Sequence, residues 1–309
     1  MTKSSHRRRA RVADDAKSPA TIVQALRDQG MDPTGLTPIG VRPRLGEYIG
    51  ELWNRRHFIW MDARHRVATQ NSRNRLGSLW LLLRPLLDAA MYFIIFAVIL
   101  KVDRGMENFP GFIIIGVLMF RSTMRAISQG PSQLHSGKAM IRAFVFPRAA
   151  LPISAEIREA LQMIFTIGIM LVMIIVVPHH EQPEWTWFLV PVVYVFQFVL
   201  NLGLSLTFAR IGFIFPDTVQ FMSFVARFLM YGSGVIFPIE KFVDRPALTA
   251  IIEANPIYHL ILMYREILMD GSIPSAEHWM ILGAWAAGLA LFGFIFFWQG
   301  EETYGAEQR

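Results

Sequence analysis

The sequence predicts an all-α integral membrane protein with six transmembrane helices. The prediction rests on the apolar composition, on six long apolar stretches and on the distribution of basic residues. Of its 309 residues, 53% are hydrophobic and 17% are charged. The mean hydropathy of +0.36 is higher than soluble domains usually reach. Six apolar stretches are long enough to cross a bilayer. Half of the chain's 30 lysines and arginines lie in its first 78 residues, which is typical of the cytoplasmic side of a membrane.

Residues 1–43 form a basic tail that we expect to be disordered. The tail contains the run Arg7 to Arg11, scattered proline and glycine, and few large apolar side chains. Twin arginines also occur in signal peptides, but no apolar segment follows this pair soon enough to complete one. No nucleic-acid-binding fold accompanies the tail, so a nucleic-acid partner is not expected.

Residues 44–78 are predicted to hold an amphipathic helix and a cytoplasmic connection. From Arg44 to Ile59, apolar residues share one face at helical spacing while charged residues such as Glu47 occupy the other. This segment is too polar to span a bilayer, so we expect it to lie in the interface with Trp53 at headgroup depth. A packed soluble helix is the alternative. The polar, basic segment Met61 to Gly77 is predicted to be a short connection into the first span.

The predicted spans occupy residues 79–300, and residues 301–309 form a short carboxyl-terminal tail. The first span, Leu79 to Leu100, is apolar except around Arg84, Pro85 and Asp88. The other five predicted spans are Gly111–Ile127, Ala149–Val177, Trp187–Ile211, Thr218–Phe237 and His278–Trp298.

The connections between the spans indicate the orientation. The segment Ser128 to Arg148 is basic, whereas the connections on the other side carry few lysines and arginines for their length, so both termini are predicted to be cytoplasmic. The last outer connection is apolar in patches and predicts two short helices, Leu248–Ala254 and Pro256–Met269, broken at Asn255-Pro256. We expect these helices to re-enter the outer leaflet. Two further full spans are the alternative, but neither piece is long enough.

No motif in the chain indicates an enzyme, a cofactor or a metal site. Ser136-Gly137-Lys138 resembles the end of a phosphate-binding loop, but the glycine spacing and Ala139 exclude a Walker A motif. His179-His180 lacks further ligands at metal-binding spacing. The chain has no cysteine, so thiol chemistry is excluded as well.

Charged residues inside the predicted spans are the most informative feature for function. Asp88 and Arg227 lie at matching depths in the first and fifth spans, and Glu156, Arg158 and Glu159 lie in the third span. A charge at this depth is costly in lipid, so these groups are expected to face protein or water. They either neutralise one another within the bundle or line a water-filled path, in which an arginine could meet a phosphate.

Aromatic residues are dense in the outer halves of the spans. They include Tyr92, Phe93, Phe96, Tyr231 and Phe237. Such residues either face lipid and pack the bundle or form a ring on which sugars stack, and their spacing does not separate these alternatives.

Several stretches together carry a family resemblance. They are LGSLWLLLRPLLDAAMYFIIFAVIL (76–100), FPRAALPIS (146–154), FPDTVQFMSF (215–224), SGVIFPIE (233–240) and NPIYHLILMYREILMDG (255–271). In this order they resemble the membrane subunit of ABC-type polysaccharide exporters, the Wzm-like permeases for O-antigens, teichoic acids and galactans. The resemblance covers residues 44–300, and the basic tail is similar to that of actinobacterial galactan exporters.

The resemblance implies a homodimer of six-span subunits in a bacterial inner membrane, joined by two copies of an ABC ATPase that binds ATP and magnesium. The amphipathic helix and a coupling helix, Ser132–Phe146, would contact the ATPase, and the short helices Leu248–Met269 would line the outer mouth. A polyprenyl-diphosphate-linked polysaccharide would pass between the protomers. The implied ATPase contacts are Glu47, Trp53, His135, Lys138, Arg142 and Phe144.

Two further sets of residues complete the expected site. The translocation path is assigned to Asp88, Tyr92, Phe93, Phe96, Arg227, Tyr231 and Phe237, and the outer gate to Asn255, Pro256, Tyr258, Arg265 and Glu266. Two alternatives stay open. An ABC permease for a drug or small lipid shares this architecture, whereas a membrane-embedded glycan-modifying enzyme would need an acid–base or metal pair that the sequence lacks.

Overall fold

The structure is a computed structural model that describes residues 43–70, 74–99, 108–144, 146–176, 181–236 and 246–306. The predicted basic tail therefore lies outside the described residues except for Pro43. His179, His180 and Phe237 also lie outside them, and so does the side chain of Phe96.

Every regular element within the described residues is helical. The α-helices are α1 Leu45–Asn54, α2 Arg56–Thr69, α3 Trp80–Phe93, α4 Phe109–Gln129, α5 Gln133–Ser136, α6 Lys138–Ala143, α7 Ala150–Val176, α8 Val190–Ile214, α9 Thr218–Gly232, α10 Pro246–Glu253, α11 Pro256–Leu268, α12 Ala276–Gln299 and α13 Glu301–Ala306. Short 3₁₀ helices occur at Gly77–Leu79, Gly130–Ser132 and Trp185–Leu189, and a π-helical segment, Ile94–Ile99, continues α3.

Four helical stretches among the described residues are long and apolar enough to cross a membrane. They are Phe109–Ala143, Ala150–Val176, Trp185–Ile214 and Ala276–Gln299. This confirms the prediction of an all-helical integral membrane protein. The first and fifth predicted spans are also helical, but α3 and α9 have 14 and 15 residues. The count of six spans stays a prediction.

The amphipathic segment differs from its prediction in length and shape. It forms two helices that meet at Arg55, and α2 continues to Thr69, into the segment predicted as a short cytoplasmic connection. Packing explains the difference, because Ile59 and Ala63 are buried and the Ser154 hydroxyl of α7 donates a hydrogen bond to Asp62. Contacts with the bundle thus stabilise a helix whose own residues are mostly polar.

Helix α4 lies at the centre of the bundle. In its most apolar window 83% of the residues are buried, against 22% for α7 and α12, so the latter two present wide apolar surfaces suited to lipid. Within the core, Gln197 of α8 donates a hydrogen bond to the Met119 carbonyl of α4 and accepts one from the Tyr264 hydroxyl of α11, at 3.0 and 2.9 Å. Such polar links hold helices together where no water competes.

Helices α8 and α12 pack with their backbones close together. A Cβ atom added to Gly203 of α8 would collide with the backbone of Leu289 and Ala290, and one added to Gly293 of α12 would collide with the Gly203 carbonyl. Small residues permit this approach in membrane bundles.

We expect Gly203→Val to lower the free energy of unfolding by about 2 kcal/mol, because the added side chain forces α8 and α12 apart. Titration of the detergent-solubilised protein with a denaturing detergent, followed by tryptophan fluorescence, measures this change. Gly288→Val is the matched control, since a Cβ at Gly288 meets nothing within 4 Å. Equal stability of the two variants would contradict the close packing.

Candidate functional site

The residues predicted to contact an ATPase all lie at the surface of the protein. Trp53 and Phe144 each expose 67% of their surface despite being apolar, and the other four side chains are also exposed. We call this surface, formed by Glu47, Trp53, His135, Lys138, Arg142 and Phe144, the platform.

The platform rests on one buried cluster. Tyr48 and Leu52 of α1, Leu134 of α5 and Ile141 of α6 point into this cluster, where they join residues at the ends of α7, α8 and α12. The turn before α5 is also fixed to α8, because a Cβ on Gly212 would collide with Pro131. The structure thus brings the amphipathic and coupling helices together on a common support, in direct contact with the ends of three long helices.

A hydrogen-bonded junction ties α1, α7 and α13 together beneath the platform. The Tyr48 hydroxyl donates to Glu301 Oε2 at 2.7 Å and accepts from the Ala149 backbone N–H at 3.1 Å. The Arg148 backbone N–H and guanidinium both donate to Glu301 Oε1, at 2.9 and 3.1 Å. We call Tyr48, Arg148, Ala149 and Glu301 the Tyr48 junction. It connects the platform to the start of one span and to the helix that follows the last.

Burial controls the electrostatics of this junction. Glu301 is 2% exposed, and burial raises the pKa of its carboxyl above its ordinary value, although the hydrogen bonds from Arg148 and Tyr48 act in the opposite direction. Burial and the nearby Glu301 raise the pKa of Tyr48, so its hydroxyl keeps its proton and remains a donor.

Among the described residues, the charges within the bundle form two ion pairs, and neither is the expected pair of Asp88 with Arg227. Asp88 of α3 pairs with Arg121 of α4, and Arg125 pairs with Glu159 of α7 at 2.6 Å. The expected partnership of Asp88 with Arg227 was wrong. Helix α3 packs against α4 and α7, so the nearest cations are those of α4.

The two ion pairs border a small cleft of about 40 Å³ between α3, α4 and α7. Its charged lining consists of Arg84, Asp88, Arg121 and Arg125. The remaining lining residues are polar or apolar: Gln70, Trp80, Leu81, Pro85, Leu118, Gln162 and Thr166.

The other predicted path residues that the structure describes lie apart from one another. Tyr92 and Phe93 are partly buried against two different core clusters. Arg227 and Tyr231 lie on the exposed side of α9, where the Arg227 guanidinium is 5.8 Å from the Phe224 ring centre. Among these described residues, only Asp88 lines the cleft.

The predicted outer-gate residues lie at the start and along the length of α11. Asn255 caps this helix, accepting a hydrogen bond from the Ile257 N–H and donating one to Ser233 Oγ at 2.9 Å. Arg265 is 7% exposed, and Glu266 lies 3.4 Å from His278 of α12. Tyr258 and Pro256 are half-buried. The helices predicted for this connection are confirmed, while their place in the membrane stays a prediction.

Sequence reasoning missed the Tyr48 junction. It also missed the ion pairs that Arg121 and Arg125 form with Asp88 and Glu159. One signal pointed to the junction: Tyr48 stands on the apolar face of an amphipathic helix, and a buried tyrosine hydroxyl needs a partner. Nothing local to Glu301 identified that partner, which is 253 residues away.

Comparison with known proteins agrees with this architecture. A model of the ABC-2 type transporter family matches residues 64–269, two thirds of the chain. The O-antigen export system permease protein RfbA of Myxococcus xanthus is 25% identical over 245 residues, which cover 77% of this chain and 93% of the relative. RfbA of Klebsiella pneumoniae is 25% identical over 198 residues, covering 64% and 74%. The polysialic acid transport protein KpsM of Escherichia coli is 25% identical over 210 residues, covering 67% and 79%. The chain therefore belongs to the ABC-2 type transporter family.

Proposed function

We propose that this chain is the membrane subunit of an ATP-driven exporter that moves a polyprenyl-diphosphate-linked polysaccharide, such as a galactan or O-antigen, across the inner membrane of a bacterium. The observation that carries the proposal is the platform, an exposed surface with apolar Trp53 and Phe144 and basic Lys138 and Arg142. Exposed aromatic side chains of this kind mark protein interfaces. The names of the relatives supply the substrate class, since they describe O-antigen and polysialic acid transport.

The partner is an ABC ATPase, present in two copies, that binds ATP and magnesium. ATP binding would close the ATPase pair and push on α1, α5 and α6. Because these helices share a buried cluster with the ends of α7, α8 and α12, the push would reach three spans directly. Both termini would be cytoplasmic in this arrangement.

A second copy of the chain would face the exposed side of α9. Phe221, Phe224, Phe228 and Tyr231 expose 57–78% of their surfaces there. Arg227 lies among them about 15 Å along the helix, a depth at which lipid would disfavour its charge. In a homodimer of six-span subunits, a water-filled passage between the two copies of α9 would hydrate Arg227. Arg265, Glu266 and the start of α11 would form the outer gate.

The deciding experiment is purification of the chain together with its ATPase. We expect ATP turnover to rise when polyprenyl-diphosphate-linked polysaccharide is added to the reconstituted complex, and to respond less to polyprenyl diphosphate alone. Failure to form a complex, or stimulation by small amphiphilic drugs with no response to the glycan, would overturn the proposal.

Reversing two charges on the platform is expected to weaken binding of the ATPase. Lys138→Glu combined with Arg142→Glu places two negative charges where we expect contact with the ATPase, and binding should weaken by about tenfold or more. Co-purification yield and glycan-stimulated ATP turnover measure the effect. The matched control exchanges the same residues with charge retained, Lys138→Arg with Arg142→Lys, and should associate normally. Full association of the reversed variant would remove these residues from the interface.

A further inference from the structure

The cleft between α3, α4 and α7 differs from the rest of the bundle in its charge. Its wall carries three guanidinium groups, from Arg84, Arg121 and Arg125, and one carboxylate, from Asp88. Asp88 pairs with Arg121, and Arg125 pairs with Glu159 behind the wall. Arg84 takes part in no ion pair within the described part of the chain. The cleft therefore has an excess of one positive charge.

The position of the cleft makes this excess costly. Arg84 is four residues after the start of α3 and Arg125 is four residues before the end of α4, so both lie about 6 Å inside their helices. In the predicted orientation both helix ends face the cytoplasm, so both guanidinium groups lie near the cytoplasmic ends of predicted spans. A cation there is stabilised when an anion accompanies it, and phosphate oxygens are the acceptors that the guanidinium fork fits best.

The remaining lining of the cleft suits a phosphate attached to a hydrocarbon chain. Gln162 Nε2 donates a hydrogen bond to Gln70 Oε1 at 2.5 Å. Both side chains line the cleft together with the arginines and carry amide donors. Leu81, Pro85 and Leu118 form an apolar wall next to them. Polar donors and apolar side chains thus meet in one cleft, as an amphiphile with an anionic head requires.

We propose that this cleft binds the diphosphate group of a lipid-linked substrate, with Arg84 as its principal ligand and the apolar wall along the first part of the polyprenyl chain. The proposal rests on the proposed function for the identity of the lipid, and on the three arginines for the phosphate chemistry. Asp88 and Glu159 hold Arg121 and Arg125 in place and leave part of each guanidinium fork for the ligand.

Binding of polyprenyl diphosphate to the full chain in neutral lipid nanodiscs tests this site. We expect Arg84→Gln to weaken binding about tenfold, the loss of one charge-assisted contact, and Arg84→Lys to weaken it less. Arg64→Gln is the matched control: it removes the same charge from an exposed position of α2 outside the cleft and should bind as the wild type does. Thermal unfolding of each variant shows whether it is folded.

Competing lipids separate the possible sources of the phosphate. Polyprenol, which lacks phosphate, should not compete, and phosphatidylglycerol should compete more weakly than the diphosphate because it carries one phosphate. Equal binding by Arg84→Gln and wild type, or equal competition by polyprenol or phosphatidylglycerol, would overturn the site. Stimulation of the wild-type complex by lipid-linked glycan is measured separately, so the proposed function stands or fails independently of Arg84.

Discussion

Glu301→Ala is expected to lower the free energy of unfolding by about 3 kcal/mol and to loosen the platform from the bundle. The substitution leaves three donors without their acceptor: the Tyr48 hydroxyl, the Arg148 N–H and the Arg148 guanidinium. Removing one member of a buried, hydrogen-bonded charge pair typically costs this much. Denaturing-detergent titration of the purified protein, followed by tryptophan fluorescence, measures the change.

A double-mutant cycle assigns the loss to the junction. Tyr48→Phe removes one hydroxyl that serves both Glu301 and the Ala149 N–H. The Glu301→Ala and Tyr48→Phe effects should therefore be non-additive by about 1 kcal/mol. Glu51→Gln, a change at an exposed glutamate of α1, is the control and should have little effect. Additive losses would mean that the two residues act separately.

The junction also predicts a pH dependence. Because burial raises the pKa of Glu301 above its ordinary value of 4.5, the folded state binds this proton more tightly than the unfolded state does. The resulting stability is fully present below 4.5 and is lost as the pH rises through the folded-state pKa. Glu301→Gln lacks this loss, so the wild type should lose stability relative to the variant as the pH rises above 4.5. A constant difference would show that the carboxyl titrates normally.

The sequence predicts the long elements of this fold because their signals are local. Four apolar stretches appear as α-helices within a few residues of their predicted ends, since hydropathy depends on neighbouring residues alone. The short helices α10 and α11 were also predicted correctly, because the break at Asn255-Pro256 is a local cap. The continuation of α2 beyond Ile59 was not predicted, since it depends on contacts with α7.

Pairings between distant residues could not be predicted in the same way. Asp88 and Arg227 lie at equal depth, but equal depth does not identify adjacent helices. The structure places α3 beside α4, so Asp88 meets Arg121. The platform residues were predicted from a family resemblance, whereas the cleft depends on how three helices pack against one another. Residues with shared roles in a bundle are separated in sequence, and only the packing brings them together.

Arg265→Leu is expected to have the largest effect on the outer part of the bundle. The guanidinium of Arg265 donates to the Gly234 carbonyl at 2.8 Å and to the Val235 carbonyl at 2.9 Å, both beyond the end of α9. It also donates to the Phe112 carbonyl of α4, at 3.1 Å through Nη2, and lies 3.3 Å from the centre of the Phe112 ring. One side chain of α11 therefore joins two further helices.

The leucine variant removes this donor from the buried Gly234 and Val235 carbonyls and from the contact with α4, and we expect a loss of about 3–5 kcal/mol in unfolding free energy. Arg265→Lys should recover part of the loss, because an ammonium group cannot reproduce the planar fork that reaches three carbonyls at once. Denaturing-detergent titration measures both variants, and Arg64→Leu at an exposed position serves as the control.

Two milder variants, Arg265→Lys and Gly116→Ala, separate a structural role for Arg265 from a role in the outer gate. A Cβ atom added to Gly116 would collide with the Arg265 guanidinium and the Val235 carbonyl. Gly116→Ala should therefore disturb the hydrogen bonds of Arg265 without replacing the arginine. If the guanidinium acts by holding the end of α9 to α4, then Gly116→Ala and Arg265→Lys should lower stability and glycan-stimulated turnover together. If Arg265→Lys abolished turnover in a protein of wild-type stability, the side chain would have to contact the transported molecule, and its burial against the carbonyls would describe only one state of the gate.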